Sequence, residues 1–292
     1  MQLSNYRKRI LDSHCMREIF INILQAGVIP DHVAFIMDGN RRYSKVHNMS
    51  IEQGTFRGSQ TMTKIVEGCF LLGIQGVTVY TFSLENFKRP REQIDPVMRI
   101  LKDLFIEYAQ PGGLLEKCHC AIRVLGRLDL LDDDMREIIR KAMEASRHQK
   151  ERFLNVYVAY TSRDEIARAV QATASGCCLR RALPSSITAM SLAAQMDAPN
   201  DPPVDILVRT SGVCRLSDFL LWQCHQDTSI QFVDPFWPDF GMCDLFFVIL
   251  WWQRNVHLVN LQKPSIGFLV TLFIFVLVSI TSCCCFLSIE WI

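Results

Sequence analysis

The sequence predicts an α/β fold with a mostly parallel sheet covered by helices on both faces. Three observations carry this. Short runs rich in Val, Ile, Tyr or Phe recur along the chain, and amphipathic stretches of helical period separate them. Three of the runs end abruptly in polar residues suited to chemistry, at Met37-Asp38, Phe82-Ser83 and Val208-Arg209. In parallel sheets ligands bind outside the carboxyl ends of the strands, so one site draws on distant stretches of chain.

Taken in order, residues 1–26 form an N-terminal segment in which 5–26 read as an amphipathic helix, with Ile10, Leu11, Ile19, Phe20, Ile23 and Leu24 apolar. It suits covering a core, touching a membrane surface or binding a partner. Arg7, Lys8, Arg9, Asp12 and Arg17 interrupt any apolar run there, which excludes a signal peptide. The main domain covers 27–255. Its expected strands are Val33–Met37, Gly76–Phe82, Ala121–Leu125, Leu154–Ala159, Asp205–Val208 and Ile230–Val233. Its expected helices are Thr55–Leu72, Gln93–Tyr108, Asp132–Lys150 and Arg163–Thr173. Asp132-Asp133-Asp134 offers an N-cap and negative charge at a helix start. Residues 174–203 are weakly patterned, with a helix expected near Ile187–Met196 between loops.

From Pro264 to Ile289 the chain carries no charge. A membrane-spanning helix needs ~20 apolar residues, so this stretch qualifies as a tail anchor that leaves the rest of the chain cytosolic. The alternative is a tail that is no part of the fold.

Composition narrows the function classes. The 292 residues include 31 basic and 30 acidic ones, without the basic excess that a nucleic-acid footprint needs. The 12 cysteines include Cys177-Cys178 and Cys283-Cys284-Cys285 and form no CxxC pair. Cys118-His119-Cys120 lacks a second pair at zinc spacing, so reduced thiols are the better reading than a disulfide framework or structural zinc.

Chemistry gathers at three strand ends. After Met37 come Asp38, Gly39, Asn40, Arg41 and Arg42; after Phe82 come Ser83, Glu85, Asn86, Lys88 and Arg89. After Val208 come Arg209, Arg215 and Ser217 around a glycine turn, and an apolar helix is expected to follow. Arginines, hydroxyls and backbone N–H groups at a helix start make an anion cradle. Cradles at the first and third strand ends suggest two phosphorylated ligands. Asp38 between them suits Mg²⁺, which takes one or two carboxylates plus substrate phosphates. Singly, Asp-Gly-Asn reads as a turn and Arg-Thr-Ser-Gly as a loop; their joint occurrence carries the weight.

HVAFIMDGNRR, TFSLENFKRP, RTSGVCRLSDFLLWQ and FWPDF resemble the signature blocks of the cis-prenyltransferases, the undecaprenyl and dehydrodolichyl diphosphate synthases. AYTSRDEI and RVLGRLDLL look like the animal-type dehydrodolichyl diphosphate synthase subunit, and the resemblance runs from about residue 15 to 254. It implies one α/β domain with a six-stranded parallel sheet and a hydrophobic tunnel. It implies stepwise condensation of isopentenyl diphosphate onto farnesyl diphosphate, with new cis double bonds, toward dolichol and protein glycosylation. By the same resemblance Mg²⁺ near Asp38, with Arg41 and Arg42, stabilises the departing allylic diphosphate. Gly39 belongs to that cradle, and Asn40 orients the diphosphate or the reacting carbons. Arg209, Arg215 and Ser217 hold isopentenyl diphosphate, while Ser83, Asn86 and Arg89 order the reacting ends. Ile94, Val97, Met98, Leu101, Leu104 and Phe105 line the tunnel or belong to the core. A Nogo-B receptor-like partner subunit and the cytosolic face of the endoplasmic reticulum membrane are also implied.

Three departures bear on activity. The family's Gly-His-x-x-Gly is Gly54-Thr55-Phe56-Arg57-Gly58, so Thr55 replaces the histidine that would contact diphosphate. Val213 stands where Arg-Thr-Ser-Gly-Glu has its glutamate. The acidic residue that bacterial members carry past Leu-Trp-Gln has only Asp227 nearby. The expectation is therefore an enzyme; a catalytically impaired scaffold subunit and an unrelated phosphate-binding α/β protein are the alternatives.

Overall fold

The computed structural model describes residues 14–178 and 187–259. Pro30–Phe240 forms one compact unit, and the chain on either side of it forms another. The second unit opens with helix α1 (His14–Gln25), the described part of the expected amphipathic helix. Residues 5–13 lie outside the described residues, as does the apolar stretch 264–289.

All six expected strands form, each within two residues of its expected bounds. They are β1 (His32–Ile36), β2 (Gly76–Ser83), β3 (Cys120–Leu125), β4 (Arg152–Tyr160), β5 (Ile206–Arg209) and β6 (Ser229–Phe232). They make one parallel sheet in the order β3-β4-β2-β1-β5-β6. β1 sits between β2 and β5, with Ile36 level with Arg209 and with Tyr80.

The connections carry helices α2 (Asn40–Val46), α3 (Ile51–Leu72), α4 (Arg91–Ala109), α5 (Leu114–Lys117), α6 (Asp133–Ser146), α7 (Ser162–Cys178) and α8 (Ala189–Ala193). Helix α3 starts a turn before Thr55 because Ser50 and Gln53 close a capping box. Asp132 caps α6 as expected, accepting from the Met135 N–H at 2.7 Å. Around Ile187–Met196 the helix is short, α8, and begins after a Thr188–Ser191 capping box. Helix α9 (Met242–Val259), which the sequence reading did not draw, returns to the second unit, where Phe246 stacks on Phe20 at 4.5 Å. Among the described residues no helix is long and apolar enough to cross a membrane.

One expectation fails in an instructive place. No helix follows Ser217; residues 218–227 run in turns and bends. Ser217, Asp218 and Leu220 are left-handed, at φ 51°, 60° and 46°, which a right-handed helix does not admit. The compensation is burial. Phe219 and Leu220 fill a cluster with Ala34, Ile36, Tyr80, Tyr157, Tyr160 and Leu207, and Phe219 stacks on Tyr80 at 4.4 Å. Burying such side chains stabilises by roughly 1.5–3 kcal/mol each. Phe35 points to the other sheet face, against Trp237 at 5.8 Å, as strand alternation requires.

Candidate active site

The sheet order fixes where a site forms. The chain leaves β1 toward β2, on one side, and leaves β5 toward β6, on the other. A crevice opens between such diverging strand ends. Asp38 follows the end of β1 and Arg209 ends β5, so the first and third predicted strand ends are neighbours.

At the end of β1 the chain turns sharply. Gly39 has φ 110°, and a Cβ there would lie 2.9 Å from a ring carbon of Phe236, so only glycine fits. Helix α2 starts immediately after it and presents Arg41 and Arg42. The Asp38 carboxylate accepts from the Gly39 N–H at 2.7 Å, from Arg209 Nη2 at 2.8 Å and from Arg42 Nη2 at 3.3 Å. Burial works to raise its pKa, but Arg209, Gly39 and Ser211 outweigh burial and hold the carboxyl below its ordinary range. Thr210 brackets Asp38 as well: its hydroxyl donates to the Asp38 carbonyl at 2.7 Å and accepts from the Asp38 N–H at 3.0 Å.

Asn40 turns toward α3. Its Nδ2 donates to the Met37 carbonyl at 3.4 Å, while its buried Oδ1 has no protein partner. A Cβ on Gly58 would come within 2.3 Å of that oxygen, and one on Gly54 within 1.9 Å of Ser44 Oγ. The glycines that flank Thr55 and Arg57 therefore make room for the start of α2.

At the end of β5, Arg209 is 3% exposed. Its Nη1 donates to the Arg215 carbonyl and to Ser217 Oγ, both at 2.5 Å, while its Nη2 reaches Asp38. One buried guanidinium thus ties the two cradles together. Arg42 adds a second tie, donating to Ser211 Oγ at 2.5 Å. Arg215 and Ser217 remain exposed on the loop.

The middle strand end contributes Ser83 and Asn86, which close a capping box at the start of a 3₁₀ turn, Leu84–Lys88. Ser83 Oγ accepts from the Glu85 N–H at 3.2 Å and Asn86 Oδ1 from the Ser83 N–H at 3.2 Å. Arg89 follows. Burial and the nearby Arg41 cation lower its pKa, only partly offset by Asp38. Two neighbouring cations, one of them half-buried, invite an anion between them.

All eleven residues predicted for the site line one cavity of about 920 Å³. Around it, Arg41, Arg42, Lys45, Arg89, Arg163, Arg209 and Arg215 face only three carboxylates, Asp38, Glu85 and Asp218. Its other wall is apolar, made by Ile51 and Met62 of α3 and Val97, Ile100, Leu101 and Leu104 of α4. Of the other α4 side chains named in advance, Ile94 and Phe105 are buried in the core. A cavity cationic at one end and apolar along a wall fits an anion carrying a hydrocarbon chain.

The prenyltransferase family described as "Putative undecaprenyl diphosphate synthase" matches residues 36–259. The chain belongs to this family. It is 42% identical to the Homo sapiens dehydrodolichyl diphosphate synthase complex subunit over 83% of this chain and 72% of that one. It is 37% identical to the corresponding subunit of Schizosaccharomyces pombe, over 82% and 90% of the two chains. The crystal structure of lavandulyl diphosphate synthase from Lavandula x intermedia, in complex with dimethylallyl diphosphate, is similar at a TM-score of 0.73. It is 26% identical and matches 77% of this chain and 95% of that one.

Within the family frame the departures have definite places. Thr55 lines the cavity, but its hydroxyl donates to the Ile51 carbonyl at 2.8 Å. Val213 lines the cavity without a carboxylate to offer. Asp227 is exposed and is not part of the cavity wall. Lys45, Arg163 and Asp218 line the cavity and were missed by sequence reasoning. In the sequence Arg163 reads only as the start of an expected helix and within a family-like stretch, and Asp218 only as a neighbour of Ser217.

Proposed function

We propose that this chain is a cis-prenyltransferase that condenses isopentenyl diphosphate onto farnesyl diphosphate and makes a long-chain, dehydrodolichyl-type polyprenyl diphosphate. The observation that carries the reading is the single cavity in which both cationic strand ends open beside an apolar wall. The names of the relatives from Homo sapiens and Schizosaccharomyces pombe support the product class.

Condensation moves negative charge onto the departing allylic diphosphate. Arg41, Arg42 and Arg89 surround the place where that charge would develop, and fixed cations in a half-buried site stabilise it with little reorganisation. Arg215 and Ser217 would bind the diphosphate of isopentenyl diphosphate, with Arg209 holding their loop against Asp38. Ser83 and Asn86 stand between and set the approach of the two ligands, a proximity role. The apolar wall from α3 and α4 would take the hydrocarbon chain, as the first part of a tunnel.

The donor set fits Mg²⁺ brought in with a diphosphate. Among the described residues no group of three or more His, Cys, Asp or Glu side chains forms a closed metal site. Asp38, ionised and one-third exposed, gives the one carboxylate that such a shared ion needs. Bound there, Mg²⁺ would neutralise charge on the diphosphate oxygens.

The relatives are named as complex subunits, which supports a partner subunit; that it is of the Nogo-B receptor type is what the family resemblance implies. A product this apolar supports work beside a membrane; the cytosolic face of the endoplasmic reticulum is what the family resemblance implies. The test is incorporation of radiolabelled isopentenyl diphosphate into butanol-extractable product, with farnesyl diphosphate, by the purified chain alone and with its partner. Incorporation that rises with the partner is expected. A partner that binds while neither preparation incorporates label would favour the impaired-scaffold reading.

A further inference from the structure

Ser162 and Glu165, in the stretch Tyr160-Thr161-Ser162-Arg163-Asp164-Glu165, have no assigned part in the chemistry above, yet both are deeply buried. Ser162 is fully buried and Glu165 is 1% exposed. Glu165 accepts from the Tyr160 hydroxyl at 2.5 Å, from the Asp197 N–H at 2.9 Å and from the Gln223 side-chain amide at 3.0 and 3.1 Å. Ser162 Oγ accepts from the Leu221 N–H at 2.7 Å, and the Ser162 N–H donates to the Asp218 carbonyl at 2.8 Å. Arg163 donates to the Asp218 carboxylate from its N–H at 3.1 Å and its Nε at 2.7 Å. The first turn of α7 therefore grips residues 218–223 by backbone and side chain alike.

What it grips is strained. Ser217, Asp218 and Leu220 are the left-handed residues that displace the expected helix. Non-glycine residues persist in that conformation where their surroundings over-determine it. Without the grip, Phe219-Leu220-Leu221-Trp222 is free to wind into the helix its apolar run favours. Ser217, whose hydroxyl meets Arg209, would then leave its place.

We propose that Ser162 and Glu165 are positioning residues for the second diphosphate cradle. Neither lines the cavity. They set where Ser217 and Arg215 stand by holding the strained turn that follows. The proposal rests on the condensation reading, because it assigns that cradle to isopentenyl diphosphate.

The test compares Glu165→Gln, Gln223→Glu, the double variant and Ser162→Ala in the full chain with its partner subunit. Readouts are KM for each substrate, binding of isopentenyl diphosphate by equilibrium dialysis, and Tm. Glu165→Gln and Ser162→Ala should each raise the KM and Kd for isopentenyl diphosphate about tenfold, the size of one lost buried hydrogen bond; Gln223→Glu, which sets a second carboxylate against Glu165, should raise them more. KM for farnesyl diphosphate should stay within about twofold, well under that loss. The double variant remakes the pair with donor and acceptor exchanged, while the Tyr160 hydroxyl turns to Ser162 Oγ, 3.0 Å away. It should recover most of the affinity. Equal rises in both KM values, a lowered Tm without a KM change, or a double variant no better than the singles would overturn the proposal. Should Glu165→Gln fail to fold, Ser162→Ala, which removes one hydroxyl, carries the same comparison. If the wild type binds isopentenyl diphosphate without turning it over, the condensation reading fails and the Kd series still decides positioning. A wild type that binds neither diphosphate overturns both.

Discussion

The ends of β1 and β5 lie side by side and open into the same cavity, yet they are built by opposite means. The first is built by its own neighbours: Asp38 bonds to Gly39, Gly39 makes the turn, and α2 delivers Arg41 and Arg42 within one helical turn. The second is a loop with left-handed residues at Ser211, Ser217, Asp218 and Leu220, and its shape comes from partners outside it. Arg209 holds it from the strand, Asp38 from the neighbouring strand end, and Ser162 and Glu165 from α7. The first cradle takes its shape mainly from adjacent residues and is seated on α3; the second is as good as its holders.

The largest break in this comparison comes at Asp38, the carboxylate on which Arg42 and Arg209, the two ties between the ends, converge. Asp38→Ala removes the anchor of Arg42 and Arg209 together and the carboxylate available to a metal. Turnover should fall by ~10²-fold or more, and Tm should fall as well, because the buried Arg209 loses its carboxylate partner. Single-turnover kinetics beside circular dichroism measure both. Wild-type rates in this variant would remove Asp38 from the active site.

A smaller and one-sided effect is expected at Gly58. Gly58→Ala places a methyl against Asn40 Oδ1 and Trp237, where there is no room. Overpacking of this kind costs typically 1–3 kcal/mol. Tm should fall, and KM for farnesyl diphosphate should rise more than KM for isopentenyl diphosphate. Equal rises would mean that the two cradles move as one.

The smallest effect belongs to the opposite end of β1. His32 Nδ1 faces the Pro202 carbonyl at 2.9 Å, so it carries the proton, and Nε2 accepts from the Thr78 hydroxyl at 2.7 Å. Burial lowers its pKa, though Pro202 and the Asp201 and Asp205 carboxylates oppose this. A histidine lowered in the folded state binds fewer protons there than in the unfolded chain, so stability rises with pH. The contribution is complete above about 6.5 and is lost as pH falls toward the lowered value. Thermal unfolding at pH 7.5 and pH 5.5 should show this slope in the wild type and less of it in His32→Gln, with both KM values unchanged at pH 7.5.

Much of this architecture was legible in the sequence. The strands announced themselves through β-branched and aromatic runs, and their ends through the abrupt change to Asp38, Ser83 and Arg209. The helix expected after Ser217 shows where such reading stops. An apolar run such as Phe219-Leu220-Leu221-Trp222 fits a helix or a buried turn equally well, and only tertiary packing against Tyr80 and Tyr157 decides. The grip from α7 was illegible for a similar reason, since Glu165 and Gln223 are 58 positions apart. Gly54 and Gly58 were seen as part of a motif; what they make room for became visible only with Ser44 and Asn40 in place.

Those two glycines have a mechanical consequence. Helix α3 lends Ile51, Thr55, Gly58, Ser59 and Met62 to the cavity wall and at the same time seats the first turns of α2 in its two notches. The helix that supplies part of the apolar wall is therefore also the helix that positions the start of α2 and, on the proposed reading, its hold on the diphosphate. A substitution that slides α3 to admit a longer or thicker hydrocarbon also swings Asn40 and the arginines after it. Chain-length engineering on this helix would be felt first in the grip on the diphosphate.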